Sequence, residues 1–155
     1  GHQRAASRGI QDRDGHGTPA VGQVCRECRL PALGHAMLKL WLSPSDHELA
    51  VRLKGESLHA PAHLRIEASN VIRRQRNARI LADEAADVAF AGIMSAPVQL
   101  WPFELLAART WQLGANATNY DAAYIALAEH LQVPLVTHDA KLRSIPGTTC
   151  AVEVF

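Results

Sequence analysis

The chain has 155 residues, 48% of them apolar, a length and composition that suit one compact domain with a substantial core. Lys and Arg number 16 and Asp and Glu 15, so the formal net charge of +1 gives no global field that would draw the chain to nucleic acid or to a membrane. Three cysteines are too few for a disulfide scaffold, and no apolar run is long enough to span a bilayer. We therefore expect a cytoplasmic protein without a membrane partner.

The N-terminal segment differs in composition from the rest of the chain. Its first twenty residues, "GHQRAASRGIQDRDGHGTPA", contain almost no large apolar side chain and cannot bury themselves. We expect a flexible or atypical arm over residues 1–20 and a single domain over residues 21–155. Cys25 and Cys28 have the C-x-x-C spacing of half a zinc site, but no second pair follows, so an incidental pair of thiols is the alternative.

Predicted helices and strands alternate along the domain. The elements in chain order are a helix "AMLKLWL", a helix "SDHELAVRL", a strand "SLHAP", helices "AHLRIEASNVIRRQRNARI" and "LADEAADVAFAGIM", a strand "VQLWPF", a helix "ELLAARTWQL", a helix after Thr118, a strand "VPLVTH" and a strand "CAVEVF". Ser45 and Glu48 have capping-box spacing, and Pro61 is predicted to open the long helix. Strands that alternate with long helices pair in parallel, which predicts a three-layer α/β/α domain.

The stretch "NYDAAYIALAEHLQVPLVTHD" carries one aspartate in the first turn of a helix and another at the end of a strand. Asp121 stands three residues after Thr118, which fits a helix cap, and Asp139 has the position to cap the short helix "AKLRSI". Helix capping alone would explain both aspartates. The predicted apolar stripe of the helix comprises Tyr120, Tyr124, Leu127 and Leu131.

Glu67 is a third acid of interest, because no lysine or arginine lies three or four residues away to pair with it. It stands at the margin of an apolar helical stripe and is predicted to face inward. In a parallel α/β sheet, ligands bind outside the carboxyl ends of the strands and beside helix N-termini, where Asp121 and Asp139 are predicted to lie. Three converging acids would repel each other unless a cation holds them, and Mg²⁺ or Mn²⁺ prefers such oxygen ligands. The pattern favours a metal site suited to phosphoryl chemistry.

The segments "LHAPAHLRIEASNVIRR" and "TNYDAAYIALAEHLQVPLVTHDAKLRSIPG" resemble the VapC-type toxins of the PIN-domain ribonuclease family, over about residues 36–155. The resemblance implies a PIN-like domain with a mainly parallel central sheet. It also implies a Mg²⁺- or Mn²⁺-dependent endoribonuclease, the toxin of a type II toxin–antitoxin system, which hydrolyses RNA, forms a homodimer and is neutralised by a VapB-like antitoxin. The matching catalytic and metal-binding residues are Glu67, Asp121 and Asp139, with Thr118 and Thr137 as the supporting hydroxyls.

The chain departs from the family pattern at its first strand, which in family members ends in an aspartate. Here the corresponding residues are "CRLPALGH", and the aspartate's place falls near Leu33. A degenerate enzyme, an altered start of the gene, or a substitute ligand such as His35 or Glu27 would each account for this departure. The alternative function is therefore a catalytically silent PIN-like module that keeps antitoxin, dimer or RNA contacts.

Arginines cluster late on the helix that carries Glu67, in the run "RRQRNAR". One interpretation is a solvated helix end whose cations are favourable to the helix dipole. The other is that Arg73 and Arg74 contact phosphate or an acidic partner, since the guanidinium fork matches the geometry of both.

Overall fold

The structure is a computed structural model that describes residues 32–33 and 47–155. Several predictions made from the sequence fall outside these residues. They concern the arm over residues 1–20, the cysteine pair Cys25 and Cys28, the substitute ligands Glu27 and His35, the helix "AMLKLWL" and the cap residue Ser45.

One five-stranded sheet forms the centre of the described fold, and every strand pairing in it is parallel. The order across the sheet is β3, β2, β1, β4, β5, so β1 lies in the middle. The predicted parallel sheet is confirmed. The strands are β1 (Ala32–Leu33), β2 (Leu58–Pro61), β3 (Val98–Trp101), β4 (Leu135–Thr137) and β5 (Val152–Val154).

Helices connect the strands as the alternation predicted. In the described part of the chain, no helix has both the length and the apolar character needed to cross a membrane. The helices are α1 (His47–Leu53), α2 (Leu64–Asn77), α3 (Asp83–Ser95), α4 (Phe103–Leu113) and α5 (Asn119–Leu131), and a 3₁₀ helix spans Ala140–Ser144.

Apolar side chains cover both faces of the sheet, as neighbouring residues of β4 show. Leu135 packs in the large core that includes α5, whereas Val136 packs with Leu49 and Leu53 of α1. Successive side chains of a strand point to opposite faces, so α1 and α5 lie on opposite sides of the sheet. The three-layer α/β/α arrangement is confirmed.

Helix α5 is buried on all sides through its middle, where every residue from Ala122 to Ala128 is at most 2% exposed. A helix that is apolar all round packs against neighbours on every face. The single apolar stripe predicted for α5 was therefore too narrow. It was also wrong at one end, because the side chain of Tyr120 is 57% exposed.

Two predicted boundaries of α2 were also wrong. Pro61 is the last residue of β2 and not the first of the helix, which begins at Leu64 after the N-cap His63. The helix ends at Asn77, short of the predicted Ile80. The chain turns there because Arg79 adopts a positive φ of 56°, a left-handed conformation that interrupts a right-handed helix.

A buried carboxylate ties the loop before β5 to two helices. Arg109 of α4 donates two hydrogen bonds to Glu129 of α5, from Nε at 2.6 Å and from a terminal nitrogen at 3.2 Å. The same guanidinium donates to the carbonyl of Gly147 at 2.6 Å, and the Thr149 N–H donates to Glu129 at 2.7 Å. The Glu129 side chain is only 10% exposed, so these bonds replace the water it loses.

We expect Glu129→Gln to lower the free energy of unfolding by about 1–3 kcal/mol, because the charge-assisted bonds of a buried carboxylate are lost. Chemical denaturation measures this change. The matched control is Glu104→Gln at an exposed site on α4, which should stay within about 0.5 kcal/mol. An equal effect of both substitutions would contradict a special role for Glu129.

The same carboxylate should contribute to acid denaturation. Burial alone would raise the pKa of Glu129, but the hydrogen bonds from Arg109 and Thr149 outweigh it and lower the pKa below its ordinary 4.5. A carboxyl whose pKa is depressed by folding stabilises the fold above its unfolded pKa and loses that contribution as the pH falls through the folded pKa. Unfolding free energy measured below pH 4.5 should therefore fall less steeply in Glu129→Gln than in the unmodified chain.

Candidate active site

The carboxyl ends of the parallel strands place the predicted site residues at one edge of the sheet. Helix α2, with Glu67 in its first turn, begins three residues after β2 ends at Pro61. Asp139 follows the end of β4 by two residues. Strand β1 lies between β2 and β4, so the ends of those two strands stand about 10 Å apart.

A buried tyrosine fixes the carboxylate of Glu67. The Tyr124 hydroxyl of α5 donates a hydrogen bond to Glu67 Oε2 at 2.6 Å. Tyr124 is only 1% exposed, and burial, followed by the nearby Glu67 charge, raises the pKa of its hydroxyl far above the physiological range. The hydroxyl therefore stays protonated, and it joins the first turn of α2 to the second turn of α5.

His63 packs beside the same carboxylate. Its Nε2 lies 3.7 Å from Glu67 Oε2, and its ring meets the rings of Tyr120 and Tyr124 edge to face, each with centroids 5.2 Å apart. These contacts were not predicted from the sequence. The four-residue spacing of His63 and Glu67 on one helix was an available signal. No local pattern signals the contact between Glu67 and Tyr124, which stand 57 residues apart.

Asp121 has the capping partner that its spacing predicted. The Thr118 hydroxyl accepts a hydrogen bond from the Asp121 N–H at 3.2 Å and donates one to the Asp121 carboxylate at 2.7 Å. Thr118 is the N-cap of α5. The cap fixes the Asp121 side chain in the first turn of α5, one helical turn before Tyr124.

Asp139 is likewise held by local hydrogen bonds. Its carboxylate accepts from the Lys141 N–H at 2.9 Å and so caps the 3₁₀ helix. Its own N–H donates to the hydroxyl of Thr137, a fully buried side chain, at 3.0 Å. Thr118 and Thr137 thus each form a hydrogen bond with a nearby aspartate.

Arg73 and Arg74 are exposed and line a groove of about 380 Å³ that also contains Glu67. Arg73 donates to the Asn70 side chain at 3.2 Å. Within residues 47–155, neither arginine has a carboxylate within salt-bridge distance, whereas Arg76 lies 3.7 Å from Asp83. Arg73 and Arg74 therefore present uncompensated charge to the groove.

The described residues fit a divalent cation only in part. Carboxylate oxygens are the correct donors for Mg²⁺ or Mn²⁺. However, no three side chains among the His, Cys, Asp and Glu of the described segments converge closely enough to enclose a metal ion. Mg²⁺ commonly takes one or two carboxylates and completes its shell with water and substrate phosphates, which is the only mode these residues allow.

The family resemblance leads us to expect the first aspartate of the pattern near the end of β1. This strand ends at Leu33, whose backbone is level with Val136 of β4 and hence close to the start of the Thr137–Asp139 segment. The residue at this central position has no carboxylate. The sequence departure thus falls at the edge of the sheet that carries Glu67, Asp121 and Asp139.

Comparisons with known proteins assign the domain. The family model described as the PIN domain matches residues 35–147. Ribonuclease VapC12 of Mycobacterium tuberculosis is 37% identical over 120 residues, which are 77% of this chain and 93% of that protein. Ribonuclease VapC1 of the same species is 35% identical over 103 residues, 66% of this chain and 77% of that protein.

Solved structures agree on the fold. A VapBC2 structure from Rickettsia felis, bound to a promoter DNA fragment, superposes with a TM-score of 0.57 at 16% identity, covering 81% of this chain and 98% of that one. PAE2754 from Pyrobaculum aerophilum gives 0.60 at 19% identity, covering 82% and 84%. The family model, the sequence identity and the shared fold agree, and the chain belongs to the PIN-domain family as a VapC-type member.

Proposed function

We propose that the chain is the toxin ribonuclease of a type II toxin–antitoxin system and hydrolyses RNA phosphodiesters with Mg²⁺ or Mn²⁺. Glu67, Asp121 and Asp139 are the proposed catalytic and metal-binding acids. The single observation that carries this proposal is the 2.6 Å hydrogen bond from Tyr124 to Glu67. It joins Glu67 of α2 to helix α5, whose first turn carries Asp121, although the two acids are remote in sequence.

Each proposed acid has a hydrogen-bond partner that holds its orientation. Tyr124 holds Glu67, Thr118 holds Asp121, and the Lys141 N–H holds Asp139. Such partners reduce the rearrangement that ligand binding requires and fix where the negative charge stands. A bound divalent cation supplies charge neutralisation at the phosphate and a water of lowered pKa. Arg73 and Arg74 would hold the RNA backbone near these acids.

The proposed partners follow from membership in the VapC type. They are an RNA substrate, a VapB-like antitoxin and a second copy of the chain, with the cytoplasm as the site of action. Exposed apolar side chains on α3 and α4 offer surface for protein contacts, because such side chains are commonly covered by a partner. They are Val88, Phe90, Met94, Phe103, Leu105 and Trp111.

The second candidate function is a catalytically silent module that binds antitoxin, RNA or a second copy. The observation that favours it is Leu33 at the end of the central strand, where the family pattern has an acid. One missing carboxylate removes both a metal ligand and a neutralising charge. The two candidates therefore differ in whether the remaining acids bind a metal ion.

A Mn²⁺ titration followed by electron paramagnetic resonance tests the proposed site without RNA. We expect stoichiometric binding that is lost in Glu67→Gln. Tyr124→Phe removes only the hydroxyl that orients Glu67, and it should weaken Mn²⁺ binding about tenfold or more, the usual cost of losing a partner that orients a ligand.

Tyr120→Phe is the matched control, because it removes the hydroxyl of the other tyrosine in the chain and leaves the contact between Tyr124 and Glu67 intact. It should leave Mn²⁺ affinity unchanged. Binding that is absent from the unmodified chain, or that survives Glu67→Gln, would reject the proposed metal site and favour the silent module.

A further inference from the structure

Tyr120 is an exposed aromatic ring beside the proposed catalytic acids. It directly precedes Asp121 in the first turn of α5, and 57% of its side-chain surface is open to solvent. The rings of His63 and Tyr120 pack edge to face, with centroids 5.2 Å apart and an interplanar angle of 74°. The Tyr120 ring therefore contacts His63 on one side and is open to solvent on another.

The groove that Tyr120 lines has the mixed chemistry of a nucleotide site. Helix α2 lines it with the polar side chains of Glu67, Asn70, Arg73 and Arg74 and with the apolar side chain of Ile66. Residues spaced by three, four and seven positions share one face of a helix, so Glu67 and Arg74 stand about 10 Å apart along this face. The groove thus places an aromatic ring, two cations and a proposed catalytic acid within the reach of a short RNA segment.

We propose that Tyr120 is a stacking platform for an unpaired RNA base next to the phosphate to be cleaved, and that Arg73 and Arg74 bind the adjoining backbone phosphates. This inference rests on the proposed function and adds a subsite to it. Proteins bind unpaired RNA by combining base stacking on aromatic side chains with cations that follow the phosphate backbone.

The charges of the groove favour RNA over a protein segment as its occupant. Among the described residues, Arg73 and Arg74 have no carboxylate in salt-bridge distance, so phosphate would supply the missing countercharge. The exposed apolar residues of α3 and α4, which suit protein contacts, do not line this groove. Tyr120 is the only aromatic side chain that lines it in the described chain, and it stands next to Asp121.

The test measures binding of a short, fluorescently labelled single-stranded RNA to the full chain, in chelator so that no metal-dependent cleavage occurs. Tyr120→Ala should weaken binding about 5- to 150-fold, the range reported for loss of one stacked base. Tyr120→Phe keeps the ring and should stay within about twofold. Trp111→Ala is the matched control at an aromatic residue that is 81% exposed and outside the groove, and it should also change little.

A second readout reports stacking itself. RNA that contains 2-aminopurine should lose fluorescence on binding the unmodified chain or Tyr120→Phe, because an aromatic ring that stacks on this base quenches it. Tyr120→Ala should not quench it even at saturating protein. Melting temperatures of the variants should match that of the unmodified chain, since the side chain is exposed.

Unchanged RNA affinity and undiminished quenching in Tyr120→Ala would overturn the stacking proposal and would assign the exposed ring to a protein contact. Because RNA binding in chelator does not depend on hydrolysis, the stacking proposal and the ribonuclease proposal can each be rejected without the other. Tyr120-dependent binding without Mg²⁺-dependent cleavage would retain the subsite and reject the ribonuclease. Mg²⁺-dependent cleavage together with RNA binding that Tyr120→Ala leaves unchanged would retain the ribonuclease and reject the subsite.

Discussion

Asp121→Asn should reduce Mg²⁺-dependent RNA cleavage roughly 100-fold or more. The substitution keeps the shape of the side chain and the Thr118 cap, whose hydroxyl still accepts from the backbone N–H of residue 121. It removes one negative charge from the first turn of α5. Loss of a residue that merely orients a metal ligand costs about 10- to 100-fold, so loss of a ligand should cost at least as much. Initial cleavage rates of a labelled RNA measure this effect.

The matched control for this substitution is Asp87→Asn, at an exposed aspartate of α3 that lies 3.9 Å from Arg76. It should cleave RNA at the unmodified rate. If Asp121→Asn cleaved RNA as fast as Asp87→Asn, Asp121 would have no catalytic role. The measured cleavage would then come from other residues or from a contaminating nuclease.

Leu33→Asp should raise the affinity for Mn²⁺ about tenfold or more. The backbone of Leu33 ends the central strand, beside the strand that leads to Asp139. A carboxylate there would add a ligand where the family pattern has one. A tenfold change requires only 1.4 kcal/mol, which is less than the attraction of about 4 kcal/mol between two unit charges at 4 Å in an effective dielectric of 20. The Mn²⁺ titration measures this gain, and RNA cleavage should increase with it.

Leu33→Asn separates charge from shape, because the amide has the size of the carboxylate without its charge. It should leave Mn²⁺ affinity unchanged. Equal affinity in both variants would show that the end of β1 does not contribute to the metal site. An inert natural chain together with an active Leu33→Asp variant would identify the natural protein as the silent module and retain the PIN-domain assignment.

The architecture was predictable because it depends on local patterns. Alternating apolar strands and amphipathic helices predicted parallel pairing, and every pairing between the described strands is parallel. Boundaries set by single backbone conformations were not predictable. The end of α2 depends on the positive φ of Arg79, a conformation that an arginine rarely adopts and that no local pattern signals.

The candidate site was predictable only where its residues interact within one element. The caps of Thr118 on α5 and of Asp139 on the 3₁₀ helix follow from spacing, and both are present. The Tyr124 hydroxyl reaches Glu67 only because α2 and α5 pack together. Periodicity placed Tyr120 in the core, but α5 has an exposed first turn before its fully buried middle, and helical periodicity does not reveal that change.

Cleavage of a purified single-stranded RNA by the unmodified chain, with Mg²⁺, with excess chelator, and with Mg²⁺ restored, tests the proposed activity most directly. The proposed ribonuclease should cut the RNA internally with Mg²⁺, stop in chelator and recover when Mg²⁺ is restored, because Glu67, Asp121 and Asp139 would act through a bound cation. RNA that stays intact under all three conditions, or that is cut equally well in chelator, would contradict it.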